Sequence, residues 1–227
     1  MAGEMGTRFR RGSSAKSAWI DITIPIRNAM VHWPTDSAPR VERIMDVDRG
    51  DRVTLTEFTM ISHTGTHIDA PLHFIRHGGT IDEMPLDTVI GRARVIEIRD
   101  TESIKPAELA PYRIQRGERI LFKTRNSSTV YQTDEFIEDY VYISTEAAHF
   151  LVERGVRVVG LDYISVGSYK IQSNLTEVHE TLIGNGVYII EGLNLDGVKA
   201  GRYEFICLPI RLERGDASPA RAVLRPV

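Results

Sequence analysis

The apolar positions in the first half of the chain recur mostly at every second residue, which is the period of a β-strand. Residues 20–26 carry isoleucine at each even position, so they predict an early strand. Pro25 lies inside this segment and either places the strand at a sheet edge or interrupts its pairing, because proline has no N–H to donate. Strands are also predicted at residues 52–61, 92–98 and 119–123.

The pattern changes to that of an amphipathic helix between residues 144 and 155. Ser144 or Thr145 is placed to cap its N-terminus, an apolar stripe follows, and Gly155 ends it. The apolar run at residues 156–161 is typical of a strand buried in a mixed or parallel sheet. Further strands are predicted at residues 187–190 and 205–212.

Residues 1–18 stand apart from this pattern. They are rich in glycine, serine and arginine, and they lack an apolar stretch of the kind that forms the core of a signal peptide. We expect them to be a flexible tail. No repeat, linker or change of composition divides the rest of the chain, so residues 19–227 are expected to form one α/β domain with a single mixed sheet and few helices.

Composition narrows the class of function. The 227 residues include 31 acidic and 28 basic side chains, which excludes the strongly basic surface of a dedicated nucleic-acid-binding protein. No stretch comes near the about 18 consecutive apolar residues that span a bilayer. We therefore expect a cytoplasmic protein that binds a small molecule, with neither nucleic acid nor a membrane as partner. The single cysteine, Cys207, lies in an apolar run and is expected to be a core thiol.

The strongest chemical signal is a cluster of histidines. The chain has seven, of which four fall within fifteen residues: His63, His67, His73 and His77. The first three of these and Asp69 are spaced by four, two and four residues, so an extended segment would carry them all on one face. Gly65 and Pro71 oppose a helix in this segment. The sequence therefore predicts three imidazoles and one carboxylate aimed into a common space.

Such a set fits a divalent transition metal that accepts both nitrogen and oxygen ligands. Asp69 offers two oxygens, which could bridge a pair of ions. A chain of this length buries a core without a structural metal, so a metal here would serve chemistry. His179, after a polar stretch, and Glu191, at the end of an apolar strand, are further candidate ligands. Asp162 also ends an apolar strand, where it either faces a site or caps the following loop.

The remaining histidines carry no such signal. His32 and His149 are isolated, and His77 lies next to two glycines and outside the tight spacing. We assign all three to the background.

The run from His63 to His73 resembles the His-x-Gly-Thr-His-x-Asp-x-Pro-x-His signature of the cyclase family of metal-dependent hydrolases, which includes bacterial kynurenine formamidases and isatin hydrolases. The similarity extends over nearly all of residues 19–227. The chain departs from closely related formamidases at Gly167-Ser168, where they carry an Asp-Pro-like pair. Further similar segments lie at residues 21–26, 33–36, 155–162, 179–193 and 216–222.

This resemblance implies a swivelling β/β/α-like fold and a catalytic metal centre. The implied ligands are His63, His67, Asp69, His179 and Glu191. The first three hold one ion, and the two carboxylates bridge to a second ion that the last histidine also holds. His73 takes the place of a general acid/base, or is itself a ligand, and Trp33 contributes to substrate binding. Zinc, with one or two ions per subunit, is the implied cofactor, manganese is the alternative, and a homodimer or homotetramer is the implied assembly.

The implied reaction is metal-dependent hydrolysis of a carbon–nitrogen bond other than a peptide bond. The first expectation is an arylformamidase of tryptophan catabolism that cleaves N-formyl-L-kynurenine to kynurenine and formate. The alternative is the opening of a cyclic amide such as isatin. In either case a metal lowers the pKa of its bound water, and His73 passes a proton to the departing nitrogen.

Three other interpretations of the same residues stay open from the sequence. His67, Asp69 and His179 match the two-histidine, one-carboxylate triad of non-haem iron oxygenases, although the other histidines would crowd the positions such enzymes leave free. The run His77-Gly78-Gly79 is reminiscent of an oxyanion loop, but the chain has no Gly-x-Ser-x-Gly nucleophile motif. A structural zinc site is disfavoured because the one cysteine lies far from the histidines.

Overall fold

A computed structural model describes residues 19–227 of the chain, so the tail predicted at residues 1–18 lies outside the described residues. The helices are α1 (Pro106–Leu109), α2 (Asn126–Thr129), α3 (Thr145–Glu153) and α4 (Gln172–Gly184). The strands are β1 (Ile20–Asp21), β2 (Arg40–Met45), β3 (Leu55–Thr59), β4 (His67–Asp69), β5 (Ile90–Glu97), β6 (Ser103–Ile104), β7 (Arg119–Lys123), β8 (Tyr142–Ile143), β9 (Val158–Leu161), β10 (Tyr188–Glu191), β11 (Gly201–Pro209) and β12 (Ala217–Pro226). Within residues 19–227, no helix is both long and apolar enough to cross a membrane.

Seven strands of the main sheet close into a barrel. Their order is β12-β11-β5-β7-β9-β10-β4, and β4 also pairs with β12, which completes the ring. The pairs from β5 through β7 and β9 to β10 are parallel, and the other pairs of the ring are antiparallel. Strands β2 and β3 form a separate hairpin. The predicted mixed sheet with few helices is therefore confirmed, and its closure places β4 between β10 and β12.

Side chains of this sheet alternate between two apolar cores, one on each face. One core contains Ile68 of β4, and the other contains Ile189 of β10 together with side chains of α3 and α4. Because successive residues of a strand point to opposite faces, His67 and Asp69 point away from the first core and towards α4. Cys207 is fully buried in the first core, as predicted for a core thiol, and burial raises the pKa of its thiol.

The first strand is shorter than predicted. It ends at Asp21, and Thr23 adds only one isolated bridge. The N–H of Ile24 donates to the side chain of Thr66 at 2.9 Å instead of to a strand, and Pro25 has no N–H to continue the ladder.

The structure also differs from the prediction around the histidines. The extended segment predicted from His63 to His73 is a strand only at β4, and its end, Pro71–His73, is a 3-10 turn. Helix α4, which carries His179, is absent from the prediction, although its buried Val178 and Leu182 recur at helical spacing. Strand β12 is likewise absent from the prediction. Strand β7 has the predicted ends, and the other predicted strands and the helix α3 are present with shifted ends.

Asp162 caps a turn between β7 and α2. Its carboxylate accepts hydrogen bonds from the N–H and hydroxyl of Thr124, at 2.7 and 2.9 Å, and from the N–H and hydroxyl of Ser127, at 3.1 and 2.7 Å. Burial raises the pKa of Asp162, and the four donors oppose this rise. The sequence left two roles open for Asp162, facing a site or capping the loop that follows it. The structure shows a third role, because Asp162 caps the turn after the neighbouring strand β7.

Replacing Asp162 with alanine should lower the free energy of unfolding by about 3 kcal/mol or more, because four buried donors lose their acceptor. Urea denaturation measures the loss. The exposed Asp196 provides the control, since its replacement with alanine should change stability by about 0.5 kcal/mol or less. Equal stabilities of the two variants would contradict the capping role.

Candidate metal centre

Three elements bring the predicted site residues together. Strand β4 presents His67 and Asp69 on the face turned towards α4, and Glu191 of β10 lies directly opposite His67 in the antiparallel register. His179 approaches from α4. All four side chains are buried.

The atoms that face one another at this point are nitrogen and oxygen donors. His67 Nε2 lies 3.2 Å from Glu191 Oε2 and 3.4 Å from Asp69 Oδ1. His63 Nδ1 lies 2.9 Å from the same Asp69 oxygen. His179 Nε2 lies 3.3 Å from Glu191 Oε1 and 4.0 Å from Asp69 Oδ2.

The other ring nitrogen of two buried histidines is held by a backbone carbonyl. His67 Nδ1 lies 2.9 Å from Gly65 O, and His179 Nδ1 lies 2.6 Å from Leu175 O. A carbonyl oxygen can only accept, so each Nδ1 carries the proton that it donates, and Nε2 is the ring nitrogen that faces inward. Backbone or carboxylate acceptors of this kind commonly fix the orientation of metal-binding histidines.

His63 is oriented by a carboxylate instead. Its Nε2 lies 2.9 Å from Asp216 Oδ2, which leaves Nδ1 facing Asp69. Ser62 donates to the other oxygen of Asp216 at 3.1 Å. Asp216 thus orients the ring of His63, just as the carbonyls of Gly65 and Leu175 orient the rings of His67 and His179.

These inward-facing atoms suit a cation. Within residues 19–227, His67 Nε2 and both oxygens of Asp69 are buried without a hydrogen-bond partner, because the close separations lack hydrogen-bond geometry. Lone pairs that converge at 3.2 to 3.4 Å repel one another unless a cation or proton lies between them. Among the described residues, three groups could each surround one ion, since the donor atoms of each lie within 4.8 Å of one another: His63 with His67 and Asp69, Asp69 with His73 and His179, and His63 with His73 and Asp216. Asp69 belongs to the two groups that contain a buried histidine.

In the absence of an ion, the histidines and carboxylates of this cluster shift one another's pKa values. Burial disfavours the charged form of His63, but the charges of Asp69 and Asp216 outweigh it and raise the pKa of His63 to about 10. Burial likewise opposes the charge of Asp69, yet the neighbouring histidines lower the pKa of this carboxyl. Burial and the charge of Asp69 both raise the pKa of Glu191, but its close contacts with His179 and His67 outweigh them and lower it. A cation would therefore replace protons that the histidines hold in the ion-free cluster.

His73 differs from the other three in its surroundings. It ends the Pro71–His73 turn, its side chain is 28% exposed, and its ring centroid lies 4.0 Å from that of His63. Its Nδ1 is 3.8 Å from Asp216 Oδ2, too far for a hydrogen bond. Burial lowers the pKa of His73. The charges of Asp69 and Glu191 oppose this effect, but the charges of His63 and His179 add to it, and the pKa is lowered. The His73 ring is therefore neutral at pH 7.

A cavity of about 360 Å³ opens above these residues. Its wall includes Trp33, whose ring packs edge-on against Phe136 and Tyr169 at centroid distances of 5.3 and 5.4 Å. Phe74 lines the cavity as well and stacks on His179 at 4.5 Å. The volume lies at the lower end of the range for small-molecule pockets.

Sequence reasoning did not single out Asp216 as a site residue. It lies just before β12, and pairing of Ala217 with Asp69 brings it to the histidines. The signal available in the sequence was the similar segment at residues 216–222. His32, His77 and His149 neither line this cavity nor belong to one of the three donor groups.

Comparison with known proteins finds a matching family, similar sequences and similar solved structures. Residues 20–168 match the protein family described as "Putative cyclase". A kynurenine formamidase of Bacillus cereus (strain ATCC 10987 / NRS 248) is 36% identical over 211 residues, which cover 93% of this chain and 99% of that protein. A solved structure described as a predicted metal-dependent hydrolase from Bacillus stearothermophilus has a TM-score of 0.77 and 33% identity, and the alignment covers 91% of this chain and 97% of that chain.

Isatin hydrolase A from Labrenzia aggregata has a TM-score of 0.80 at 24% identity, with 92% of this chain and 93% of that chain covered. At this identity the likeness shows the fold alone. Together with the barrel and its helices, it confirms the fold that the histidine signature implied.

Proposed function

This chain belongs to the cyclase family, and from that premise we propose that it is a metal-dependent hydrolase that cleaves N-formyl-L-kynurenine to kynurenine and formate. The observation that carries the proposal lies at the floor of the cavity, which His63, His179 and Glu191 line. Directly behind these three residues, buried donor atoms of His67 and Asp69 converge without a partner. The similarity to a kynurenine formamidase over 93% of the chain supports the substrate. The cavity of about 360 Å³ and its aromatic wall suit a substrate with a single aryl ring.

The inward-facing donor atoms support one assignment of the metal ligands. His63, His67 and Asp69 would hold one ion, and His179 with the carboxylates of Asp69 and Glu191 would hold a second. Zinc suits such a set of imidazole and carboxylate ligands, with manganese as the alternative. When bound, such an ion lowers the pKa of a coordinated water to about 7 and polarises the scissile carbonyl.

The chain's own residues prepare the reaction around that centre. Asp69 and Glu191 are buried, which places two carboxylates in surroundings of low dielectric constant. Trp33 and Phe74 would hold the aryl ring against the cavity wall, with the formyl carbonyl turned to the floor.

His73 would move the proton. Because its pKa is lowered, the ring is neutral at pH 7 and can accept a proton from the attacking water. With Nδ1 turned towards Asp216, Nε2 is the atom that would take this proton and deliver it to the departing aryl nitrogen. Protonation lets the nitrogen leave as a neutral amine, which balances the step.

The assay that tests this function uses protein loaded with zinc or manganese, N-formyl-L-kynurenine and isatin as substrates, and an oxygen-free atmosphere. We expect release of formate and kynurenine, loss of the activity on chelation, and its return on adding metal. Cleavage of isatin alone would assign the cyclic-amide alternative. Metal-loaded protein that cleaves neither substrate would overturn the substrate assignment, and a requirement for oxygen would overturn hydrolysis.

A homodimer or homotetramer in the cytoplasm completes the proposal. The hairpin β2–β3 stands apart from the barrel and exposes Ile44, Leu55 and Phe58. A two-stranded hairpin is only marginally stable alone, so a second copy that covers these side chains would stabilise it. Light scattering should give a mass of at least two chains, and a monomeric mass would contradict the assembly.

A further inference from the structure

Gly192 touches the carbonyl that orients His67. It follows Glu191 with φ of 68°, and a Cβ added to it would lie 2.2 Å from Gly65 O and 2.7 Å from the carbon of that carbonyl. The same Gly65 oxygen accepts the hydrogen bond from His67 Nδ1. No side chain can occupy this position without displacing the acceptor.

Gly167 likewise touches the residue whose carbonyl orients His179. A Cβ on Gly167 would lie 2.6 Å from the Cα of Leu175 and 3.1 Å from its carbonyl oxygen. That oxygen accepts from His179 Nδ1 at 2.6 Å.

Neither glycine is free to retreat. The Gly192 N–H donates to Tyr163 O at 2.6 Å, and its carbonyl accepts from the hydroxyl of Thr66 at 2.5 Å. The Gly167 carbonyl accepts from the hydroxyl of Tyr140 at 2.5 Å, and the next residue, Ser168, is tied to α4 through Asn174 at 2.9 Å. An added Cβ would therefore move the orienting carbonyl rather than the glycine, because the atoms it meets are backbone.

We propose that Gly192 and Gly167 are positioning residues that set the direction of His67 and His179, each through one backbone carbonyl. Changes to groups that orient metal-binding histidines commonly weaken metal affinity by about 10- to 100-fold. The part of this inference that concerns metal affinity rests on the proposed function. The part that concerns the two imidazoles does not, since it depends only on their hydrogen bonds.

The test compares each alanine variant with a matched glycine variant elsewhere. Gly192→Ala is paired with Gly197→Ala, because Gly197 has φ of 71° but nothing within 4 Å of an added Cβ. Gly167→Ala is paired with Gly160→Ala, whose Cβ would lie 2.6 Å from a side-chain atom of Leu121 in the core. The pairs separate backbone strain and overpacking from an effect on the histidines.

Two readouts are measured: the imidazole Nδ1–H signals by proton–nitrogen NMR, and zinc affinity by competition with a chelator. We expect Gly192→Ala to shift the His67 Nδ1–H signal and speed its exchange while His179 keeps its signal, and Gly167→Ala to do the reverse. Each should bind zinc about 10- to 100-fold more weakly than its control.

Alanine variants that keep both protected Nδ1–H signals and bind zinc as their controls do would overturn the inference. Even if a variant fails to fold, the wild-type protein can overturn the inference. The absence of protected Nδ1–H protons on His67 and His179 would contradict the carbonyl contacts directly. If wild-type protein binds no zinc, the proposed function fails, while the NMR signals still decide the positioning role.

Discussion

Replacing Asp69 with asparagine should lower kcat/KM by about a thousandfold or more and abolish the rise in Tm that zinc gives the wild-type protein. Asp69 is fully buried, and both of its oxygens face the histidines without a hydrogen bond from the chain. The asparagine amide keeps the shape but replaces one shared oxygen with an N–H₂ group, which repels a cation. A metal contributes several kcal/mol to catalysis, and each step of about 1.36 kcal/mol is tenfold in rate.

The measurements are zinc content by elemental analysis, Tm with and without zinc, and kcat/KM. Asp162→Asn is the matched control because Asp162 is an equally buried carboxylate on the same barrel. It should lose stability but keep its zinc, whereas Asp69→Asn should fold and lose zinc. Retention of full zinc content in Asp69→Asn would rule out Asp69 as a ligand.

Replacing His73 with asparagine should lower kcat by about 10²- to 10⁴-fold while KM and zinc content stay close to the wild-type values. The expected loss is the usual contribution of a positioned general acid/base. Of the histidines His63, His67, His73 and His179, His73 has the most exposed side chain. The other three each have a ring nitrogen in a hydrogen bond to an oxygen outside the donor cluster's centre, and no such bond holds His73 within residues 19–227. His73 can therefore move a proton without releasing the ion.

His77→Asn is the matched control, since His77 is an exposed loop histidine four residues away with φ of 61°, a conformation that asparagine tolerates. It should retain full activity. A loss of zinc together with activity in His73→Asn would show that His73 is a ligand, which is the other role the sequence left open.

The chemistry of the site was readable from the sequence because its central part is local. His67 and Asp69 lie on one short strand, so the two-residue period placed them on one face correctly. His63 and His73 reach the same space for another reason: the chain turns at Gly65, which has φ of 66°, and at the 3-10 turn after Ala70. The even spacing of these residues therefore predicted the right outcome for His63 and His73, although the backbone at these two residues is not extended.

The long-range part of the site was not readable from residue patterns. Asp216 joins the cluster only because β4 pairs with β12, and Glu191 only because β4 pairs with β10. Nothing in the alternation of a three-residue strand specifies two partners, so the closed barrel could not be predicted either. The helix that carries His179 was hidden by its polar first turn, although its later apolar residues had the right spacing.

The most direct test of the metal centre is anomalous X-ray scattering from zinc-soaked crystals, recorded on either side of the zinc absorption edge. We expect a peak within coordination distance, about 2.0 to 2.2 Å, of Asp69 and His67 Nε2, and a second peak on the His179 side of Asp69. A peak at another place in the molecule, or none beside Asp69 in protein that hydrolyses the substrate, would contradict the proposed centre.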